Sequence, residues 1–148
     1  MTIEIFDKVR TKAGALVLVN LLDILDVLTP EATNLQWSVL DLEATTSADS
    51  GISMLQLEEE VSTSGKHLTY LELRDLASKL SQVTNGVFVG CYGRTCSPRS
   101  LLDDDLRKDC DVAIIAHDSS VWIVHVKELD VIDRLKDRFQ DTRMIGCE

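Results

Sequence analysis

The stretch that decides the fold is DVAIIAHDSSVWIVHVK, residues 111–127. Two apolar segments, 111–117 and 121–127, flank Asp118, Ser119 and Ser120, and Asp and Ser are common in tight turns. Short apolar runs rich in β-branched residues favour strands, and so short a connection makes the pair antiparallel. Because both segments are almost wholly apolar, we expect a hairpin that is covered on both faces.

The segments on either side of this hairpin also have clear patterns. Downstream, residues 128–140 predict an amphipathic helix, since Ile132, Leu135 and Phe139 recur at helical spacing. Upstream, residues 87–92 are a short apolar run that predicts another strand.

A helix start is encoded at Thr69, three residues before Glu72. The Thr side chain can accept from the backbone of Glu72 while the Glu carboxylate accepts from the backbone of Thr69, which is a capping box. The predicted helix spans 69–82, and Asn85 and Gly86 then turn the chain. A similar pattern, Ser53 with Gln56, predicts a helix over 54–62.

The prediction for the N-terminal third rests mainly on the spacing of its leucines. Leu18, Leu21, Leu22 and Leu25 recur at three- and four-residue steps, which predicts a helix over 13–28 that Thr29 and Pro30 end. Partial alternation predicts a strand over 36–44. Residues 2–10 fit either a short strand or a helix, and we favour the helix.

The predicted fold is therefore α+β in a single domain spanning 1–148. It has a mainly antiparallel sheet of about four strands (36–44, 87–92, 111–117 and 121–127), covered by helices (13–28, 54–62, 69–82 and 128–140). Two helices lie between the first two strands and allow a crossover, so a partly parallel sheet remains open.

Charge and hydropathy restrict the partners. The chain has 15 basic and 25 acidic side chains, a formal net charge of −10. Binding to nucleic acid relies on Lys and Arg that displace counterions, so we expect this acidic chain not to bind nucleic acid. The longest apolar stretch is interrupted by Asn20, Asp23 and Asp26, which argues against a membrane span. With no basic and apolar leader, we expect a cytoplasmic protein, and no motif indicates a cofactor.

The four cysteines, Cys91, Cys96, Cys110 and Cys147, have no C-x-x-C spacing. In a cytosolic protein they are expected to be thiols, partly buried as small hydrophobic residues. The alternatives are a disulfide between Cys91 and Cys96, or a zinc site that also uses Cys110 and His117.

Two acidic runs are the candidate partner-binding residues: Glu58, Glu59, Glu60 and Asp103, Asp104, Asp105. Neither run has the alternating ligands and glycine of a calcium loop, so we expect no metal there. A solvated surface is one explanation, and docking of a basic protein is the other. We therefore predict a non-enzymatic acidic interaction domain, of the immunity or antitoxin kind, that neutralises a basic partner such as a nuclease toxin.

The alternative function is a small enzyme or a ligand- or metal-binding domain. Its site would lie in the irregular 91–110 segment, where reactive residues are concentrated. The residues concerned are Cys91, Cys96, Arg94, Arg99 and His117. If Ser119 and Ser120 form the centre of the turn, His117 and His125 lie on opposite faces of the sheet, which weakens any shared histidine site.

Overall fold

The computed structural model describes residues 1–46, 50–93 and 110–145, with only the backbone described at residues 30 and 31. Its strands are β1 (Thr2–Ile5), β2 (Lys8–Arg10), β3 (Leu16–Leu18), β4 (Leu35–Thr46), β5 (Lys66–Leu68), β6 (Leu80–Tyr92), β7 (Val112–His117), β8 (Val121–Val126) and β9 (Thr142–Ile145). Its helices are α1 (Leu21–Ala32), α2 (Met54–Ser64), α3 (Tyr70–Lys79) and α4 (Leu129–Arg138).

The described strands form a seven-stranded sheet, in the order β5-β4-β6-β7-β8-β1-β9, and a separate two-stranded sheet of β2 and β3. All neighbouring strands are antiparallel. The α+β class is confirmed, but the prediction of about four strands is wrong. The missing strands are three or four residues long, too short for a clear local pattern, and β1, β5 and β9 pair with distant parts of the chain.

The N-terminal third differs most from its prediction. Residues 2–10 contain strands rather than a helix, and the helix predicted over 13–28 begins only at Leu21. Gly14 has φ +88° and turns β2 into β3. Asn20 then caps α1: its side chain accepts from the N–H of Leu22, and its own N–H donates to Asp23. Pro30 does not end the helix, which continues to Ala32 without the one hydrogen bond that the missing N–H of Pro30 would have donated.

The second correction concerns residues 80–86, which were predicted as helix and turn. They are the first half of β6, and Asn85 and Gly86 lie inside that strand. Gly86 is needed there because an added Cβ would lie 2.8 Å from a ring carbon of Phe88. Asn85 is held by its neighbours, since it donates to Glu43 (3.1 Å) and accepts from the N–H of Asp118 (3.0 Å).

The predicted hairpin is present as β7 and β8, but its turn is centred one residue earlier than expected. Asp118 and Ser119 have φ of 54° and 57°, and the N–H of Ser120 donates to the carbonyl of His117. His117 consequently pairs with Val121, and Ala113 with His125. Partners in an antiparallel pair share a face, so the two histidines lie on the same face of the sheet.

The main core lies between one face of the large sheet and the helices. Trp37, Phe88 and Trp122 are buried on this face. The indole N–H of Trp122 donates to the carbonyl of Val19 (2.8 Å), and that of Trp37 to the carbonyl of Ala32 (3.0 Å). The other face carries a smaller buried cluster: Leu40, Val89, Cys91, Cys110 and Ala113. No helix in the described part of the chain is long and apolar enough to span a membrane.

Candidate functional site

Helix α2 turns one apolar side chain outward. Ser53 caps the helix by accepting from the N–H of Gln56 (3.3 Å), and Leu57 and Val61 pack into the core. Leu55 lies off this stripe, and 80% of it is exposed. A leucine this exposed gains little from folding, because the hydrophobic contribution scales with the area removed from water.

The same helix protects the outer edge of β4. Strand β5 pairs only with residues 37–39, so the rest of that edge has no neighbouring strand among the described residues. The side chain of Glu58 accepts from the N–H of Ala44 (3.2 Å) and satisfies one of the edge groups. Covering an open edge in this way prevents unwanted pairing with another strand.

Between α2 and β4 lies a shallow hollow of about 390 Å³. Its floor includes Leu42 and Val61, and its rim carries Asp41, Leu55, Glu58, Glu59 and Ser62. Glu43 lies two residues beyond Asp41 on β4, so both side chains project from the same side of the strand. We call Asp41, Glu43, Leu55, Glu58 and Glu59 the acidic edge.

The carboxylates of the acidic edge lack an ion-pair partner within the part of the chain that the structure describes. None of the four forms an ion pair with a basic residue in the described part of the chain. Six other described carboxylates are ion-paired: Glu60 with Lys66, Asp26 with Arg74, Asp75 with Lys79, Asp111 with Lys127, Asp23 with Arg138 and Glu4 with Arg143. Three carboxylates of the acidic edge, Asp41, Glu58 and Glu59, line the same hollow as the exposed Leu55.

The structure brings together part of the predicted partner-binding set. Glu58 and Glu59 lie on the rim of the hollow, whereas Glu60 is paired with Lys66 at 2.9 Å. Asp103, Asp104 and Asp105 lie outside the described residues.

The residues of the alternative site are not all neighbours. Cys91 lies beside the start of β7, and His117 ends that strand, so about 17 Å of extended chain separates them. Cys91 is buried and disulfide-bonded, contrary to the expectation of a thiol, whereas Cys110 is a buried thiol. Cys96, Arg94 and Arg99 lie outside the described residues, so the alternative of a Cys91–Cys96 disulfide is not tested.

A second depression, of about 310 Å³, lies at the end of the sheet beside Tyr92 and Asp111. Its floor is apolar and includes Leu35 and Val126, and its rim carries Tyr92, Asp111 and Lys127. Tyr92 is 72% exposed. Asp111 is already bound by the N–H of Tyr92 (2.7 Å) and by Lys127 (3.4 Å), which leaves the tyrosine ring as the accessible group.

Two polar pairs lie on the sheet face opposite the helices. Ser38 Oγ is 2.8 Å from His67 Nδ1, and Thr2 Oγ1 is 2.9 Å from His125 Nδ1. Ser38 is completely buried, so it cannot reach a substrate as a nucleophile, and the pair is best explained as a cross-strand contact. No group of three potential ligands in the described residues is arranged to hold a metal ion.

Sequence reasoning missed Asp41, Glu43 and Leu55. A weak signal for Leu55 was available, because it lies outside the stripe formed by Leu57 and Val61. Comparisons with protein-family models, with curated proteins and with solved structures found no match.

Proposed function

We propose that this protein is a non-enzymatic interaction domain that binds a basic protein through the acidic edge. The observation that carries the proposal is Leu55, 80% exposed and surrounded by carboxylates that have no ion-pair partner among the described residues. An apolar contact enclosed by a charged rim is the usual organisation of a protein interface.

Electrostatics supports a basic partner in particular. A net charge of −10 attracts basic proteins at long range, and steering of this kind raises association rates by about 10- to 1,000-fold. At contact, the carboxylates of Asp41 and Glu59 would pair with Lys or Arg of the partner, and Leu55 would be buried. Neutralising a basic toxin, as an immunity protein or antitoxin does, is one role that fits these requirements.

The test uses three immobilised baits and an extract of the cells that make this protein. They are the wild type, an edge variant (Asp41→Asn with Glu59→Gln) and a control with the same change in charge (Asp133→Asn with Asp137→Asn, both exposed on α4). We expect a basic protein that wild type and control retain and the edge variant loses. It is then purified and titrated, and the edge variant should bind at least about tenfold more weakly.

Two results would contradict the proposal. Either no basic protein is retained, or both variants lose it equally, which would show that net charge matters and the acidic edge does not. A thermal melt of each bait confirms that the substitutions leave the fold intact.

The second candidate is a small-ligand site in the depression beside Tyr92. Its exposed ring and apolar floor suit a flat apolar molecule of fragment size. A fragment screen by ligand-observed NMR, repeated with Tyr92→Ala, tests it, and hits that bind both forms equally would reject it. A cytoplasmic location stays a prediction, and the disulfide at Cys91 argues against it, because disulfides are rare in that compartment.

A further inference from the structure

The molecule carries a basic arm in spite of its negative charge. Residues 8–18, KVRTKAGALVL, contain Lys8, Arg10 and Lys12 and no acidic residue. They form the hairpin of β2 and β3, in which Lys8 pairs with Leu18 and Arg10 with Leu16. We call this segment the basic hairpin.

The basic hairpin projects from the domain. Residues 8–16 are all exposed, and they include the large apolar side chains Val9 (47%) and Leu16 (58%). Lys8, Arg10 and Lys12 form no ion pair with a described carboxylate, although Lys8 and Arg10 donate to backbone carbonyls. Exposed apolar and cationic groups therefore alternate on an arm that folding leaves uncovered.

The basic hairpin and the acidic edge have complementary properties. On one face of the basic hairpin Leu16 lies beside Arg10, with Lys8 two residues along the same strand, and the acidic edge offers carboxylates around Leu55. We propose that the basic hairpin of one copy of this chain docks on the acidic edge of a second copy. The proposal rests on the proposed function in one respect, since both use the acidic edge.

The placement of the two surfaces allows a closed dimer. One residue of each surface is linked to the turn between β7 and β8: Lys8 donates to the carbonyl of Ser120 (3.4 Å), and Asp118 is linked through Asn85 to Glu43. Two surfaces at one end of a molecule can meet their counterparts reciprocally across a two-fold axis. Such a dimer makes the contact twice and closes, whereas surfaces at opposite ends would give a filament.

The net charge of −10 opposes self-association only at a distance. At physiological ionic strength the screening length is about 8 Å, so charges away from the contact interact weakly, whereas groups in contact are screened much less. The net charge of −10 repels a polyanion such as nucleic acid, whereas a second copy offers the carboxylates of its own acidic edge to the hairpin. The second copy is therefore the favoured occupant.

Sedimentation velocity at several protein concentrations tests the proposal, with far-UV circular dichroism as a check of folding. We expect the wild type to form dimers as its concentration rises. The hairpin variant (Lys8→Glu with Lys12→Glu) and the edge variant (Asp41→Lys with Glu59→Lys) should each dimerise at least about tenfold more weakly. The control (Asp133→Lys with Asp137→Lys) changes the net charge as the edge variant does and should dimerise like the wild type.

Mixing the two charge-reversed variants, the hairpin variant and the edge variant, gives the decisive result. Each alone carries like charges on both surfaces, but in the mixture every hairpin meets an edge of opposite charge, so dimers should return. A misfolded variant could not produce this rescue. A wild type that stays monomeric, or a mixture that does not associate, would overturn the proposal. A monomer whose hairpin binds a single-stranded oligonucleotide would overturn it too and assign the arm to phosphate groups.

The two proposals fail separately. A monomeric wild type that still loses its basic partner on Asp41→Asn with Glu59→Gln leaves the proposed function intact. A wild-type dimer with no foreign basic partner leaves the self-association intact and removes the proposed function.

Discussion

Truncating Leu55 and Leu57 to alanine should separate the surface of α2 from its core side. The two residues lie two positions apart on one helix, but Leu57 is 8% exposed and Leu55 is 80% exposed. The same chemical change is therefore made once in the core and once in water, with helix propensity held constant.

The burial values set the expected magnitudes. Leu57→Ala removes a side chain packed in the main core, and such truncations cost about 2–5 kcal/mol. Full burial of a leucine is worth about 1.5–3 kcal/mol. Since only a fifth of Leu55 is covered, Leu55→Ala should cost no more than about 0.6 kcal/mol, which the better helix propensity of alanine partly offsets.

Thermal unfolding of both variants, followed by circular dichroism, is the assay. For a chain of 148 residues each kcal/mol lowers Tm by about 2–4 °C, so Leu57→Ala should lose at least 4 °C and Leu55→Ala at most about 2 °C. A loss of more than about 1 kcal/mol at Leu55 would show that this side chain supports the fold and would remove it from the acidic edge. If Leu55→Ala leaves stability nearly unchanged, a loss of binding in this variant can be assigned to the surface contact of Leu55 and not to unfolding.

Three further outcomes test the fold. Gly90→Ala should cost about 1–3 kcal/mol in a denaturant titration, because the added Cβ would lie 2.9 Å from Leu35 and 3.1 Å from the ring of Trp37. Combining it with Leu35→Ala should cost less than the sum of the two, and strict additivity would show that the crowding is absent. Thr69→Ala should cost about 1 kcal/mol by removing a cap of α3. Hydrogen bonds from Thr69 hold the pKa of Glu72 below its ordinary value, so the stabilisation by this carboxylate is present above its unfolded-state pKa and is lost as pH falls through the folded one. A Glu72→Gln variant should lack that part of the acid dependence.

The elements that sequence predicted well depend on neighbouring residues. The capping box of Thr69 and Glu72 and the cap at Ser53 act over three residues, and both helices start where expected. The turn at Asp118 is also local, although its centre was assigned one residue too late because Asp and Ser fit several turn positions equally.

Several elements that sequence missed depend on distant partners. Strand β1 is four residues long and is stabilised by β8 and β9, more than a hundred residues away. In the predicted helix 13–28, the leucine spacing was real, but Leu18 belongs to a strand and only residues from Leu21 onward are helical. Tertiary pairing overrides local periodicity in such short segments.

The candidate site was predictable only in part, because its residues come from separate parts of the chain. Glu58 and Glu59 are visible as an acidic run, but their importance depends on Asp41 and Glu43, which β4 brings beside them from another part of the chain. The basic hairpin was hidden by the helix predicted over 13–28, which took in the second half of the hairpin and placed Leu18 on a helical stripe.

The charge distribution links stability to binding. Like charges that are gathered without countercharges destabilise the folded chain, whereas the ion pairs elsewhere on this surface relieve that repulsion. The acidic edge and the basic hairpin are each costly for the same reason, and they could have relieved one another within a single chain. They do not, since none of Lys8, Arg10 and Lys12 forms an ion pair with the acidic edge in the described part of the chain. A partner of opposite charge therefore relieves this unfavourable electrostatic energy of the monomer. A second copy of the chain carries both a basic and an acidic surface and can relieve it at each.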